Sequence, residues 1–292
     1  MVTADNKTKI EFDKNLILQH LKTHKFIYIL IATLLLLNIR LFEELIYDWS
    51  NDDNYTHGFL IIPISIYLFF KQRKSIKLPA PPSKLGIAIF VIGSIFYILG
   101  IAASEYFTLR TSLVIIITGL GYYYLGYENF KKVWFAFAFL MFMIPIPSVI
   151  YYTLAFPLQI FATDISVSLL EIIGVPALNQ GNIIYLPEYT LEVAEACSGL
   201  RSLTSLLALS ALYGNIAFKG KLKPTIIFLS AIPIAIVANI FRLIFTVIGA
   251  YAISTSFAED FLHELSGMFV FGFALIAILI WGSILKWTGK NS

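Results

Sequence analysis

Long apolar runs separated by short polar breaks recur along most of the chain. A run of about twenty apolar residues makes a helix long enough to cross a bilayer, because each residue adds about 1.5 Å. The pattern predicts about eight such helices, at residues 26–46, 56–70, 85–104, 107–127, 133–150, 196–218, 224–250 and 266–286. We therefore expect an all-α polytopic integral membrane protein.

Two segments between the fifth and sixth predicted spans do not have the pattern of a simple crossing. Residues 151–173 are mostly apolar but contain Pro157, Asp164 and Glu171, which indicates an interfacial or re-entrant helix. Residues 181–193 contain two short β-prone runs separated by a Pro-Glu pair, and they predict a small extracytoplasmic hairpin.

The composition agrees with this class, and the charge distribution predicts an orientation. The chain is 58% hydrophobic and 13% charged, which is typical of a membrane protein. All sixteen lysines, with Arg73, fall in termini and polar breaks that share one side if the eight helices alternate. By the positive-inside rule that side is the cytoplasm. We expect cytoplasmic tails at 1–25 and 287–292 and a multi-spanning membrane domain at 26–286.

The remaining arginines lie outside the cytoplasmic breaks, at positions 40, 110, 201 and 242. Arg242 lies eighteen residues after the start of the seventh predicted span, which puts it in the outer leaflet. An arginine inside such a segment is costly and usually faces a protein interior or an aqueous cavity, although snorkelling to the headgroups is an alternative. Asn239, three residues earlier on the same helical face, is expected to hold the guanidinium.

Cys197 is the only cysteine in the chain, so an internal disulfide is excluded. It lies at the outer end of the sixth predicted span, in the first helical turn, where the helix dipole and free backbone amides favour the thiolate. Arg201, four residues later on the same face, is a candidate to stabilise the thiolate or hold a carboxylate. Glu195 is a candidate to orient a cation, and it also suits the helix dipole.

His263 lies at the outer mouth of the eighth predicted span. The topology therefore presents Cys197, Arg242 and His263 at one depth on the outer face. A thiol, an imidazole and a guanidinium suffice for acyl transfer. The thiolate attacks a peptide carbonyl, the imidazole moves protons, and the guanidinium stabilises the oxyanion or the thiolate. No cluster of cysteine and histidine has metal-ligand spacing, and nothing indicates a cofactor, a nucleotide or nucleic acid.

Four segments together resemble the exosortase/archaeosortase family of membrane transpeptidases. They are EACSGLRSL at 195–203, ANIFR at 238–242, the element around His263, and NYTHGFLIIP at 54–63. Histidine, rather than arginine, in the third element is similar to the bacterial exosortase branch. The resemblance extends over most of the chain, from about residue 55 to 267.

The resemblance implies that Cys197 is the nucleophile and that Arg242 and His263 complete the site, with His57 as a family marker. It implies a bacterial inner membrane enzyme whose active site faces the extracytoplasmic side. Its partners would be exported proteins with a sorting tail of the PEP-CTERM kind, which has a short motif, a transmembrane helix and a basic cluster. The enzyme would cleave the tail through a thioester and transfer the protein to an acceptor nucleophile that the sequence does not identify.

Two alternatives remain open at the level of the sequence. A transporter or flippase for an anionic lipid-linked substrate would explain Arg242, Arg201 and Glu171 without chemistry. An intramembrane serine hydrolase would use Ser198 with His263. The cysteine is favoured over both because it is unique in the chain and lies in one of the resembling segments.

Overall fold

The computed structural model describes residues 29, 33, 36–77, 80–187, 190–193, 200–252 and 262–288, with backbone only at 200–202 and 262–266. The chain forms two compact units, residues 1–45 and 46–292. The first unit, as far as it is described, contributes the beginning of the first helix. All contacts and cavities discussed below lie within the second unit.

Four helices make up the first half of the described chain. They are α1 (Ile39–Asn51), α2 (Gly58–Lys71), α3 (Lys84–Ala103) and α4 (Tyr106–Phe139), with short 3₁₀ helices at Arg73–Ser75 and Leu140–Met143. The turn between α3 and α4 contains two residues. Ser104 ends α3 in the left-handed conformation, with φ 52°. The Glu105 carboxylate then caps α4 by accepting the backbone N–H groups of Phe107 and Thr108 at 3.0 and 2.7 Å.

Glycines at every seventh position of α3 form the face that packs on α4. Gly86, Gly93 and Gly100 are buried, whereas most of the large side chains of α3 are exposed. A Cβ at Gly93 would stand 2.9 Å from the backbone nitrogen of Ile116 on α4. The helices therefore approach so closely because glycine has no side chain, a mode of packing that is common between membrane helices.

Gly126 divides α4 into two helical parts that run in opposite directions. Its φ of 66° is readily adopted by glycine but strained for other residues. An added Cβ would also stand 2.8 Å from the carbonyl oxygen of Pro81. The part before Gly126 ends near Ser83, whose N–H donates to Tyr123 O at 3.3 Å. The part after it leads back to Met143, whose carbonyl accepts the Trp49 Nε1–H at 2.9 Å.

The structure corrects the predicted fifth span at 133–150. The helical backbone stops after Met143, and the next helix, α5 (Ser148–Ile172), starts five residues later. Pro145 and Pro147 cause the break, because proline lacks an N–H and keeps the residue before it out of the helical region. The apolar run is continuous across this boundary, so hydrophobicity alone did not predict it.

Helix α5 is held by one contact near its start and another in its second half. Near its start, Tyr151 Oη lies 3.4 Å from Asn54 Oδ1 in the α1–α2 loop. In its second half, Ser166 Oγ lies 3.4 Å from Ile240 O, two residues before Arg242. A helix lying across one end of a bundle makes contacts of this kind. The interfacial or re-entrant character predicted for 151–173 stays a prediction, because α5 is also long and apolar enough to cross a membrane.

A three-stranded antiparallel sheet follows α5. Its strands are β1 (Leu178–Gln180), β2 (Ile183–Tyr185) and β3 (Thr190–Glu192), in the order β1-β2-β3. The hairpin predicted at 181–193 is confirmed as β2 and β3, and β1 is an addition that the sequence reasoning missed. Gly181, with φ 63°, opens the two-residue turn between β1 and β2, where a positive φ matches the twist of the strands.

The last three helices pack against one another. They are α6 (Leu200–Ala217), α7 (Leu222–Ala252) and α8 (Leu262–Thr288). Their shared core contains Leu206 of α6, Ala231 of α7 and Ile278 of α8, all fully buried. Lys223 Nζ near the start of α7 donates to Leu285 O near the end of α8 at 2.9 Å. Thus α6 and α8 begin at the end of the bundle where α7 finishes.

Four helices of the described chain are long and apolar enough to cross a membrane. They are Lys84–Ala103, Ser148–Ile172, Leu222–Ala252 and Gly267–Thr288, and a shorter apolar helix covers Leu203–Ala217. The all-α membrane class is therefore supported, while the predicted count of about eight spans is not confirmed.

Candidate active site

The candidate nucleophile and its neighbours fall partly outside the described residues. The structure does not describe Cys197, Glu195 or Ser198, which belong to the segment between β3 and α6. Arg201 and His263 are described only as helical backbone, in the first turns of α6 and α8. The structure thus describes the side chains of Arg242, Asn239 and His57 from the predicted set, together with the elements that lead into the others.

Arg242 lies in the second half of α7 and its residue is 6% exposed. Asn239, three residues earlier, is 1% exposed. Both are therefore inside the protein, which contradicts the snorkelling alternative for Arg242. Burying a guanidinium is costly unless protein groups or a polar cavity receive it, so this position is a strong candidate for function.

The sheet and the turns of α7 that surround Arg242 belong to one buried cluster, which α5 completes. The cluster contains Ile240 and Leu243 of α7, Ile184 of β2, and Val193, which directly follows β3. Val193 is 1% exposed and its N–H donates to Asn182 O at 2.8 Å. Val193 is four residues before Cys197 in the sequence. The segment that carries the thiol therefore starts from the buried cluster that also contains the residues flanking Arg242.

His263 is the second residue of α8 and precedes Phe273 by ten residues of continuous helix. The rings of Phe241 on α7 and Phe273 on α8 pack edge to face with centroids 5.9 Å apart, so the turn that carries Arg242 lies against α8. The common depth predicted for Arg242 and His263 stays a prediction.

His57 lies inward of the level of Arg242. It precedes α2, and its Nδ1 is 3.2 Å from Ser205 Oγ on α6. Because Gly214 of α6 faces Pro224 of α7, Ser205 is level with Pro233, roughly 13 Å inward of Arg242. This position makes His57 a residue that joins α2 to α6, and it argues against direct contact with a group reacting beside Arg242.

A family model described as transmembrane exosortase matches residues 49–280, which is most of the chain. The chain belongs to the transmembrane exosortase family. At the level of the family this makes it a membrane-embedded sorting transpeptidase or protease. Comparisons with curated proteins and with solved structures gave no match. The match disfavours the transporter and flippase alternative, and it begins at Trp49, close to the start of the α1–α2 loop.

The end of α1 and the loop after it hold a hydrogen-bonded cluster that the sequence reasoning missed in this exosortase. Trp49 Nε1 donates to Met143 O at 2.9 Å, and Ile146 N donates to Tyr55 Oη at 3.2 Å. The side chain of Trp49 lies against Gly58 so closely that a Cβ there would collide with the indole ring. The loop is thereby attached to the proline-rich break before α5. Its only signal in the sequence was the density of aromatic and amide side chains around His57.

A partly buried ion pair lies beside this cluster. Arg110 Nη1 of α4 and Asp48 Oδ2 of α1 are 2.7 Å apart, with side chains 7% and 33% exposed. The Arg110 guanidinium also lies 5.6 Å from the centre of the Tyr106 ring. This ion pair holds two helices together and accounts for one of the arginines outside the lysine-rich breaks. Among the described side chains, no group of three histidines, cysteines or carboxylates is placed to hold a metal ion.

Proposed function

We propose that this exosortase is a cysteine transpeptidase that removes the C-terminal sorting tail of exported proteins. The observation that carries the proposal is the buried Arg242, whose neighbours on α7 share a buried cluster with Val193, four residues before the unique Cys197. A buried guanidinium near a thiol supplies the positive charge that acyl transfer needs. Family membership adds that the reaction is one of protein sorting.

The chemistry we propose proceeds through a thioester. The Cys197 sulfur gives up its proton to a base, for which His263 is the candidate, and attacks the carbonyl carbon at the cleavage point. The carbonyl oxygen becomes an oxyanion, which Arg242 stabilises. The C–N bond then breaks, the leaving amine takes the proton, and the tail departs. An acceptor amine or water attacks the thioester and releases the sulfur.

The supporting residues have narrower proposed roles. Asn239 orients Arg242 from one turn away on the same helix, while Arg201 and Glu195 adjust the charge around the thiol. His57 supports the site by fixing α6, the helix that follows Cys197.

The proposed substrates are exported proteins whose tails contain a short motif, a transmembrane helix and a basic cluster. We place the enzyme in a bacterial inner membrane, with both termini cytoplasmic and the site at the extracytoplasmic face. A tail helix with its basic cluster inside would then present the motif at the outer interface. The strand β3, at an edge of the sheet and directly before the Cys197 segment, offers backbone groups that suit an extended motif.

The first experiment is co-expression with a candidate tail protein from the same genome. The intact mass of its mature C-terminus is measured for the wild type and for Cys197→Ala, Cys197→Ser and Ser198→Ala. We expect a shortened C-terminus with the wild type and with Ser198→Ala, and an unprocessed tail with both cysteine variants. Any mass added to the shortened chain identifies the acceptor.

Two results would overturn the assignment. Equal processing by the wild type and Cys197→Ala would remove the thiol from the mechanism. Loss of processing in Ser198→Ala, with Cys197→Ala active, would make the enzyme a serine hydrolase instead. Wild-type processing of at least one tail protein is the condition for scoring the variants, and tails from several exported proteins are co-expressed in parallel to meet it.

A further inference from the structure

An aromatic groove lies between the second part of α4 and the turn that joins α6 to α7. Its cavity has a volume of about 660 Å³. Nine of its seventeen lining residues are aromatic, so its wall suits a hydrocarbon chain rather than a polar ligand. From Lys131 at one end to Phe142 at the other the groove follows α4 for eleven residues, which is roughly 16 Å.

Lysines surround one end of this groove. Lys131 and Lys221 line the groove itself, and Lys71 and Lys219 line an adjoining cavity of about 330 Å³. The two cavities share Trp134 among their lining residues, which is 49% exposed. Neither cavity is lined by an aspartate or glutamate from the described part of the chain. The lysine end therefore attracts an anion.

An anionic group joined to long apolar chains fits both parts of the groove. The exposed face of Trp134 and the half-exposed Tyr127 open the groove sideways toward the apolar surroundings of the helices, as expected for a lipid site. Basic pockets between membrane helices are known to receive anionic lipid headgroups. A sorting-tail helix fits less well, because its basic cluster would meet the lysines and be repelled.

We propose that this groove binds one anionic phospholipid, with its phosphate at Lys131 and Lys221 and an acyl chain along the aromatic wall toward Phe142. The lipid would fill the gap between α4 and the α6–α7 pair, so it would also stiffen the scaffold that carries Arg242. This inference does not depend on Cys197 chemistry, because every residue used lies outside the proposed active site.

The test uses the purified full-length chain in a non-ionic detergent. Native mass spectrometry follows the titration of phosphatidylglycerol, and of phosphatidylcholine with the same acyl chains. We expect phosphatidylglycerol to bind about tenfold more tightly or better, since each lysine near the phosphate strengthens binding severalfold. The double variant Lys131→Gln/Lys221→Gln should abolish this preference. The matched control is Lys77→Gln/Lys84→Gln, which removes two lysines that line neither cavity.

A second variant tests the aromatic part of the groove without changing charge. Ala138 lines the cavity and is exposed, so Ala138→Phe fills the path of the acyl chain without disturbing the buried core. We expect it to weaken phosphatidylglycerol binding by about fivefold or more while the thermal midpoint of the lipid-free protein stays within about 2 °C of wild type. The two variants remove different contacts to one ligand.

Several results would overturn the proposal. Equal binding of the two lipids, or a preference that survives Lys131→Gln/Lys221→Gln, would show that these lysines hold no headgroup. Displacement of the lipid by millimolar glycerol phosphate would mean that the site recognises a free phosphate. A photo-crosslinker at Phe135 should label phosphatidylglycerol, and labelling of a co-expressed tail protein instead would assign the groove to the substrate helix.

Discussion

Charged side chains are placed differently at the two ends of the bundle. At the end with Arg242, two arginines are buried, Arg242 and Arg110, and the Arg110 guanidinium pairs with Asp48 at 2.7 Å. At the other end, the lysines lie on the surface around an aromatic groove. A buried polar group is held in one geometry by its partners, whereas an exposed lysine remains free to meet mobile anions.

This difference indicates which end can support chemistry. Catalysis needs charges fixed at the position where charge develops in the transition state, in an environment that excludes water. The end with Arg242 meets the requirement for a buried, fixed charge. The lysine end has the exposed charge that favours attraction to an anionic surface. Four experiments can break or sharpen this comparison, beginning with the largest expected effect.

Arg242→Lys should produce the largest loss. Lysine keeps the charge but lacks the planar fork that places two N–H groups on an oxyanion, so we expect tail processing to slow by about 100-fold or more. The initial rate of tail release, measured by intact mass over time, checks this. Arg40→Lys is the control, because Arg40 is an exposed arginine on α1. Near-normal processing by Arg242→Lys would mean that a point charge suffices.

Asp48→Asn should destabilise the end with Arg242 by about 2 kcal/mol, because it leaves the buried guanidinium of Arg110 without its carboxylate. This corresponds to a fall of roughly 4–8 °C in the thermal midpoint, measured by scanning fluorimetry in detergent. Glu43→Gln, an exposed carboxylate on the same helix, serves as control and should change the midpoint little. Equal midpoints for the two variants would make the ion pair energetically unimportant.

Gly58→Ala should cost about 1–2 kcal/mol, since the added methyl group collides with the Trp49 ring and that ring is held by its hydrogen bond to Met143 O. The thermal midpoint again measures the effect. Gly272→Ala in α8 is the control, because an added Cβ there meets nothing within 4 Å. If both substitutions are equally tolerated, the α1–α2 loop is not fixed as tightly as its contacts indicate.

The smallest effect is expected for the link between His57 and Ser205. A double-mutant cycle with His57→Ala and Ser205→Ala should give a coupling energy of about 1 kcal/mol in stability, the usual size for one hydrogen bond. Processing should fall by much less than with Arg242→Lys, because the pair lies roughly 13 Å inward of Arg242. A loss as large as that of Arg242→Lys would put His57 in the chemistry.

Much of the site was visible in the sequence, but its three-dimensional arrangement was not. The cost of an arginine in an apolar segment identified Arg242, and the structure buries it as expected. The common depth of Arg242 and His263 was inferred by counting residues within each span, and it stays a prediction. The contact between Phe241 and Phe273, which brings α7 against α8, could not be predicted from the sequence, because it depends on which side chains interlock between helices.

The sequence by itself determined the membrane class, the hairpin before Cys197 and the family, because these depend on local hydrophobicity, strand propensity and short segments. Only the tertiary structure decided that the chain reverses at Gly126 between the two predicted spans, where the carbonyl of Pro81 leaves no room for a side chain. It alone also joined Trp49 to Met143, 94 residues apart. Hydrophobic periodicity specifies how much of a helix is buried, whereas the choice of partner depends on shape and hydrogen bonding between distant segments.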